Sequence, residues 1–153
     1  MTDQTAHPGY KAPQDYSLLN ESHVKAYRET NGETGYIWNG APILLLTTTG
    51  RKSGEKRTIA IIYTQVGDSW AIIASKGGSP THPLWYLNIL QDADVEVQIK
   101  GDKYVARART AASPEREAIW AKAVETWPNY DEYQRRTDRQ IPVVVIDPVS
   151  KLD

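Results

Sequence analysis

Ile43-Leu44-Leu45-Leu46-Thr47-Thr48-Thr49, followed by Gly50-Arg51-Lys52-Ser53-Gly54-Glu55-Lys56-Arg57, is the stretch on which the fold turns. The apolar, β-branched run reads as a strand buried on both faces, and Gly50 ends it. Thr58 to Val66 reads as a second strand, with Ile59, Ile61 and Tyr63 alternating against Ala60, Ile62 and Thr64. Gly67-Asp68 is a two-residue hairpin signal, and Ser69 to Ala74 is a third strand. Ser75-Lys76-Gly77-Gly78 then forms a second small-residue turn. Two turns that carry cations beside accessible backbone amides can grip an anion from two sides. Each turn taken alone also reads as a solvated loop, and the two need not share a sheet edge.

Outward from this stretch, Val95, Val97 and Ile99 alternate with Glu96, Gln98 and Lys100. Gly101-Asp102 turns the chain, and Tyr104, Ala106 and Ala108 alternate with Val105, Arg107 and Arg109. Pro142 to Ile146 reads as a buried final strand. Residues 17–30 have helical spacing, with Ser17 or Asp15 as cap and Gly32 as stop; this helix either packs on the sheet or serves as a lid or membrane-surface element. A short helix begins at Thr81 or His82 with Pro83 in its first turn. Its Leu84, Leu87 and Leu90 point inward, and Trp85 and Asn88 share a neighbouring face. Ser113-Pro114-Glu115 starts a third helix striped by Ile119, Trp120, Ala123, Val124 and Trp127, and a short segment with Tyr130 and Tyr133 follows. About six strands with short connections predict an α+β fold, an antiparallel barrel-like sheet. Residues 1–16 read as a flexible arm and 17–153 as one domain.

At 153 residues the chain can bury roughly 68–70% of its unfolded surface without a covalent staple. It has no Cys, which excludes disulfides, thiolate nucleophiles and Cys-based metal sites. Three widely spaced His residues make a His-rich metal site a poor expectation, and no metal is assigned. Eighteen basic against nineteen acidic residues argue against nucleic-acid binding through overall charge, and Arg51–Arg57 lacks interleaved aromatics. No apolar run approaches the roughly 18 residues of a membrane span, and the N-terminus has no signal-peptide pattern, so a cytoplasmic protein is expected. Five Trp and nine Tyr with no Phe give every aromatic ring but the plain one, each with a polar handle. Neither a phosphate-binding Gly-Lys-Ser/Thr loop nor a Gly-x-Gly-x-x-Gly turn opens a helix here, which disfavours kinase and Rossmann chemistry.

Leu45 to Gly54, Ala74-Ser75-Lys76-Gly77-Gly78, His82-Pro83-Leu84-Trp85-Tyr86-Leu87-Asn88, Tyr130-x-x-Tyr133 and Thr137-Asp138-Arg139-x-Ile141-Pro142 together resemble the deazaflavin-dependent nitroreductase family of actinobacteria. The likeness is collinear from Ile43 to Pro148. It implies a split β-barrel, FMN-binding-like in fold, and use of coenzyme F420, a 5-deazaflavin with a phospholactyl and oligoglutamate tail. A polyanionic tail needs cations and amide donors. On this resemblance Arg51, Lys52, Arg57 and Lys76 hold the tail. Gly77 and Gly78 admit backbone, and Ser75, Pro83, Leu84, Trp85 and Asn88 line the cofactor groove; Trp85 also reads as a core residue. Tyr130, Tyr133 and Ser75 are the implied hydroxyls on the acceptor side, serving hydride transfer to a quinone, enone or nitroaromatic. Arg136 stands where a third family tyrosine is expected, which leaves the acceptor open. A non-catalytic F420 carrier and an FMN-binding relative are the alternatives. A monomer or homodimer is expected, with peripheral membrane association if the acceptor is a membrane quinone.

Overall fold

The computed structural model describes residues 20–153. The expected arm over 1–16 and the first residues of the first expected helix lie outside them. Eight strands follow in chain order: β1 Ile37–Trp38, β2 Ala41–Thr49, β3 Lys56–Ile62, β4 Thr64–Val66, β5 Ser69–Ile73, β6 Asp94–Ile99, β7 Asp102–Thr110 and β8 Val143–Leu152. All pair antiparallel, in the order β1-β2-β6-β7-β8-β5-β4, with β3 on the other side of β2. The strand expected over 58–66 is thus divided at Tyr63. Its first half pairs with β2 (Ile43↔Ile62 through Thr49↔Lys56) and its second with β5 (Thr64↔Ala71). One continuous segment therefore serves both edges, and the sheet curls into a split barrel, which leaves few open edge groups. At the division the Tyr63 amide donates to Pro42 O at 3.1 Å, and its hydroxyl lies 2.8 Å from that of Tyr36.

Period-2 alternation splits the apolar run of β2 between two cores. Leu44 and Leu46 face the barrel interior with Trp70, Ile72, Val95, Val97, Ala106, Val144 and Ile146. Ile43 and Leu45 face outward with Ala60, Ile62, Ala71, Ile73, Val143 and Val145. Helices α1 (Glu21–Thr30), α3 (Glu115–Thr126) and α4 (Asn129–Arg135) cover that outer face, while α2 (Leu84–Gln91) packs Tyr86 and Ile89 against the interior cluster. The cap of α1 is Asn20 rather than Ser17 or Asp15, and its Oδ1 accepts from Ser22 N and His23 N at 3.0 and 3.2 Å. The helix stops at Asn31 in the left-handed region, and the Gly32 amide donates to Tyr27 O, the ending that Gly32 foretold.

Two expectations are corrected. The β6–β7 turn is Lys100-Gly101, since Ile99 pairs with Asp102; Lys100 takes φ +54°, and its amide donates to the Tyr27 hydroxyl at 2.8 Å. In α2 two of the three leucines, Leu84 and Leu90, do not point inward, while Leu87 is half-buried. Leu84 and Leu90 are 65% and 61% exposed, and Tyr86, Asn88 and Ile89 are buried. Tyr86 and Ile89 plug the barrel end, and the Tyr86 hydroxyl lies 2.9 Å from Thr110 Oγ1, so the larger polar-tipped side chain takes the core place that the leucine spacing suggested.

The Tyr27 hydroxyl also donates to Ile43 O at 2.8 Å, so one buried phenol joins α1, β2 and the β6–β7 turn. Burial pushes its pKa up to about 12, with the Lys100 amide opposing. Tyr27→Phe leaves a buried amide and carbonyl short of a partner, and is expected to lower stability by about 1–3 kcal/mol in urea unfolding. An unchanged midpoint would show that the three elements are held otherwise.

Candidate functional site

The basic turn after β2 closes on itself. Gly50 N donates to Glu55 O at 2.7 Å, Gly54 N to Gly50 O at 2.8 Å, and Glu55 N to Ser53 Oγ at 3.1 Å. Helix α2 pins it from the side. Asn88 Oδ1 accepts from Arg51 N at 3.1 Å and from Arg51 Nη1 at 3.4 Å, Asn88 Nδ2 donates to Thr48 Oγ1 at 3.2 Å, and Gln91 Nε2 donates to Arg51 O at 3.3 Å. Between turn and helix lies an open groove of about 680 Å³ lined by Thr48, Gly50, Arg51, Lys52, Ser53, Arg57, Ile59, Leu84, Trp85 and Asn88. Of the cofactor residues expected from the sequence, Arg51, Lys52, Arg57, Leu84, Trp85 and Asn88 come together here.

Three cations and no acid line this groove, and its other wall is the indole of Trp85 with Ile59 and Leu84. Arg57 meets Glu55 at 3.5 Å with both side chains well exposed, a pairing worth little in water, so Arg57 remains available to an anion. Lys56 departs: its Nζ donates to Thr49 Oγ1 at 3.3 Å, and it lines a different trough beside α1. The arrangement suits a ligand with a flat apolar body and an anionic extension. Asn88 is buried and its amide is already engaged, so it acts as a bracket for the turn as well as a wall.

Ser75, Lys76, Gly77, Gly78 and Pro83 do not line the groove; they lie on the connection that leads from β5 into α2. Ser75 is buried, and Lys76, at φ +45°, sends its Nζ to Thr81 Oγ1 at 3.3 Å. Gly78 meets protein here. A Cβ on it would stand 2.5 Å from Tyr133 O and 2.9 Å from Arg136 Cβ, so its missing side chain lets the turn press against α4. Arg136, in place of the expected tyrosine, sits over the Tyr133 ring at 5.7 Å and donates to Gly77 O at 3.4 Å.

Tyr130 and Tyr133 do share one face of α4, and that face is inward. Both are 4% exposed, their rings meet edge to face at 6.0 Å, and Tyr133 Oη accepts from Trp127 Nε1 at 3.1 Å. The physical reason is the outer core: α4 and α3 bury the tyrosines with Ile119, Ala123 and Trp127 to cover β5 and β8. The backbone of Tyr133 nonetheless abuts Gly78, so α4 and the Ser75–Gly78 turn are direct neighbours.

Arg139 is the residue whose role sequence reasoning missed. Its guanidinium donates to Ala74 O, Ser75 O and Ser79 O and to His82 Nδ1, at 3.2, 2.7, 2.8 and 3.0 Å. The only sequence signal was its place in the Thr137–Pro142 motif. Among the described residues no cluster of His, Asp or Glu gathers that could hold a metal ion, and no helix is long and apolar enough to cross a membrane.

The split barrel is the fold of reductases of the F420 type. A solved F420-H2 dependent reductase is 44% identical, with 69% of this chain and 94% of that one covered at a TM-score of 0.66. A solved domain-swapped dimer is 38% identical, covering 82% and 98% of the two chains at a TM-score of 0.68. Residues 19–148 match the family model of F420H(2)-dependent quinone reductases. An F420H(2)-dependent quinone reductase of Mycobacterium tuberculosis H37Rv is 41% identical over 128 residues, 81% of this chain and 86% of its own. The chain belongs to the F420H(2)-dependent quinone reductase family, a family of oxidoreductases with F420 as cofactor.

Because Nδ1 of His82 accepts from Arg139, the ring is neutral with its proton on Nε2. Burial, then the charge of Arg139, hold its pKa below the ordinary 6.5. Below 6.5 the unfolded chain takes up this proton more readily than the folded one, so stability held above that pH is lost as pH falls towards the lower folded value. An NMR titration of the His82 ring is expected to give a midpoint under 6.5; a midpoint at or above it contradicts the contact. Asn88→Ala is expected to cost about 1–3 kcal/mol by leaving the Arg51 amide and Thr48 without their partner, and to speed hydrogen exchange at Arg51. Unchanged exchange would remove Asn88 from its bracketing role.

Proposed function

We propose that this protein transfers a hydride from F420H2 to a quinone, with the cofactor held in the groove between the basic turn and α2. The observation that carries this reading is the convergence of Arg51, Lys52 and Arg57 opposite Trp85 in a groove without a lining acid. Arg51, Lys52 and Arg57 bind the phosphodiester and carboxylates of the tail, and Lys76 meets it from the neighbouring turn. Trp85, with Leu84 and Ile59, offers the flat apolar wall against which the ring system rests. The chemistry that F420H2 would supply when bound there is a hydride from C5 for an electron-poor carbon of the acceptor. The protein's task is placement, exclusion of water and polarisation of the acceptor oxygen.

Ser75, Tyr130 and Tyr133 are the proposed hydroxyls for that oxygen. Ser75 stands on the turn that presses against α4, and α4 carries Tyr130 and Tyr133; from there a hydroxyl would donate, directly or through water, as negative charge develops. No strong base is needed for this step. Leu84 and Leu90, exposed on α2 near the cationic turn, give the groove's flank a surface suited to a bilayer from which a quinone is drawn. A cytoplasmic, membrane-peripheral enzyme is part of this proposal, and assembly as a homodimer is supported by the domain-swapped relative.

Adding menadione to protein and F420H2 under exclusion of oxygen, while following the cofactor's visible absorbance, tests the reading. Protein-dependent oxidation of F420H2 is expected; tight binding without turnover on a panel of quinones would make the chain a carrier. Lys52→Ala and Lys76→Ala are each expected to weaken F420H2 binding by about 1–3 kcal/mol through loss of a charge-assisted bond, measured by fluorescence titration. Unchanged affinity in both refutes this placement of the tail. Tyr133→Phe is expected to lower turnover more than cofactor affinity; unchanged turnover leaves Ser75 or Tyr130 as the hydroxyl.

A further inference from the structure

Residues 74–83 connect β5 to α2, and the bonds that organise the chain there from within are short-range: Gly78 N to Ser75 O, Ser79 N to Lys76 O, and the contacts of Thr81 with Ser79 Oγ and Lys76 Nζ. From outside, Arg136 reaches Gly77 O at 3.4 Å, and one other side chain makes most of the remaining bonds. Arg139 Nη1 donates to Ala74 O and His82 Nδ1, Nη2 to Ser75 O and Nε to Ser79 O. These acceptors stand at the start, middle and end of the connection. All three guanidinium nitrogens are used, and a planar fork is the geometry that can meet several carbonyls at once.

The same residue ties this connection to α4. Arg139 O accepts from Gln134 Nε2 at 2.8 Å, Gln134 Oε1 accepts from Ile141 N at 3.0 Å, and Ala74 N donates to Pro142 O at 3.0 Å. Helix α4, the Ser75–Gly78 turn and the entrance to α2 are thereby registered to one another through residues 134–142. The first residues of α2 beyond that entrance are Leu84 and Trp85, which wall the groove.

We propose that Arg139 is the positioning residue of the cofactor groove. It sets where Ser75, Lys76 and the first turn of α2 stand, and so sets affinity for F420H2 without touching it. The inference rests on the groove being the F420H2 site. A site held loosely by about 1 Å loses up to about 100-fold in performance, so the effect of freeing the connection is large enough to read. A guanidinium kept only for stability would leave ligand affinity alone once the fold is intact.

The test compares wild type with Arg139→Lys, which keeps the cation and loses the fork, and Arg139→Met, which keeps only the stem. Folded protein is verified by unfolding curves, and Arg139→Lys carries the test if Arg139→Met does not fold. F420H2 affinity is expected to fall at least about tenfold in Arg139→Met and by less in Arg139→Lys, with kcat at saturating cofactor changing less than KM for cofactor. In Arg139→Met the His82 ring is expected to titrate at higher pH, and amide exchange at Gly78 and Ser79 to quicken in both variants. Affinity within twofold of wild type in a folded variant whose His82 titration or amide exchange has moved overturns the proposal. If wild type itself fails to bind F420H2, the functional reading falls instead. Unchanged exchange at Gly78 and Ser79 would then overturn the hold of Arg139 on the connection.

Discussion

Everything in this molecule depends on residues 56–66 serving as two strands at once. Because Lys56–Ile62 pairs with β2 and Thr64–Val66 with β5, the sheet has to curl until its edges meet on one segment of chain. Closure gives the barrel an inside and an outside, and both must be apolar. The β2 and β8 runs, apolar at successive positions, satisfy that demand; a one-sided sheet would have wanted alternation with polar residues. Closure also brings the turn after β2 and the connection after β5 to the barrel end that α2 covers. Two loops far apart in sequence are therefore held by the same helix.

At that end the polar side chains divide into those that line the groove and those that hold backbone. Asn88 and Arg139 belong to the second kind. Asn88 grips the turn 50–55 through the amide and guanidinium of Arg51, and Arg139 grips the connection 74–83 through carbonyls. Such bonds are valuable where the backbone has few ladder partners of its own, since an unsatisfied buried carbonyl or amide is costly. The cations Arg51, Lys52 and Arg57 are left to the groove, and with Trp85 opposite they give it one charged wall and one apolar wall. Two loops, each held by its own bracket, keep their cations in place before any ligand arrives, which lowers the ordering cost of binding.

The hairpin 95–109 was legible because its alternation is regular and its turn contains Gly101; only the turn slipped by one residue, since Lys100 in the left-handed region hands its amide to Tyr27, a contact 73 residues away. The basic turn was legible as a cationic loop because charge and glycine spacing are local properties, whereas Trp85 beside it came only from the family resemblance. The face of α2 was not. Leu84, Leu87 and Leu90 make a better apolar stripe than Tyr86 and Ile89, but the open barrel end takes the latter pair, and their long-range partners leave no mark in local periodicity. The tyrosines of α4 share one face, as their spacing predicted, but helical spacing says which residues are neighbours without saying what they meet. Arg139 was invisible in role for the same reason: its acceptors lie 57 to 65 residues upstream.

The central claim is that the groove between the basic turn and α2 is where F420 lies. Amide and indole NMR shifts recorded while F420 is added to the labelled protein test it most directly. The largest changes are expected on the Trp85 indole N–H and the amides of residues 50–57, saturating together with one dissociation constant. Saturable changes that leave these groups still, and gather instead in the trough beside α1 or elsewhere on the barrel, would contradict it.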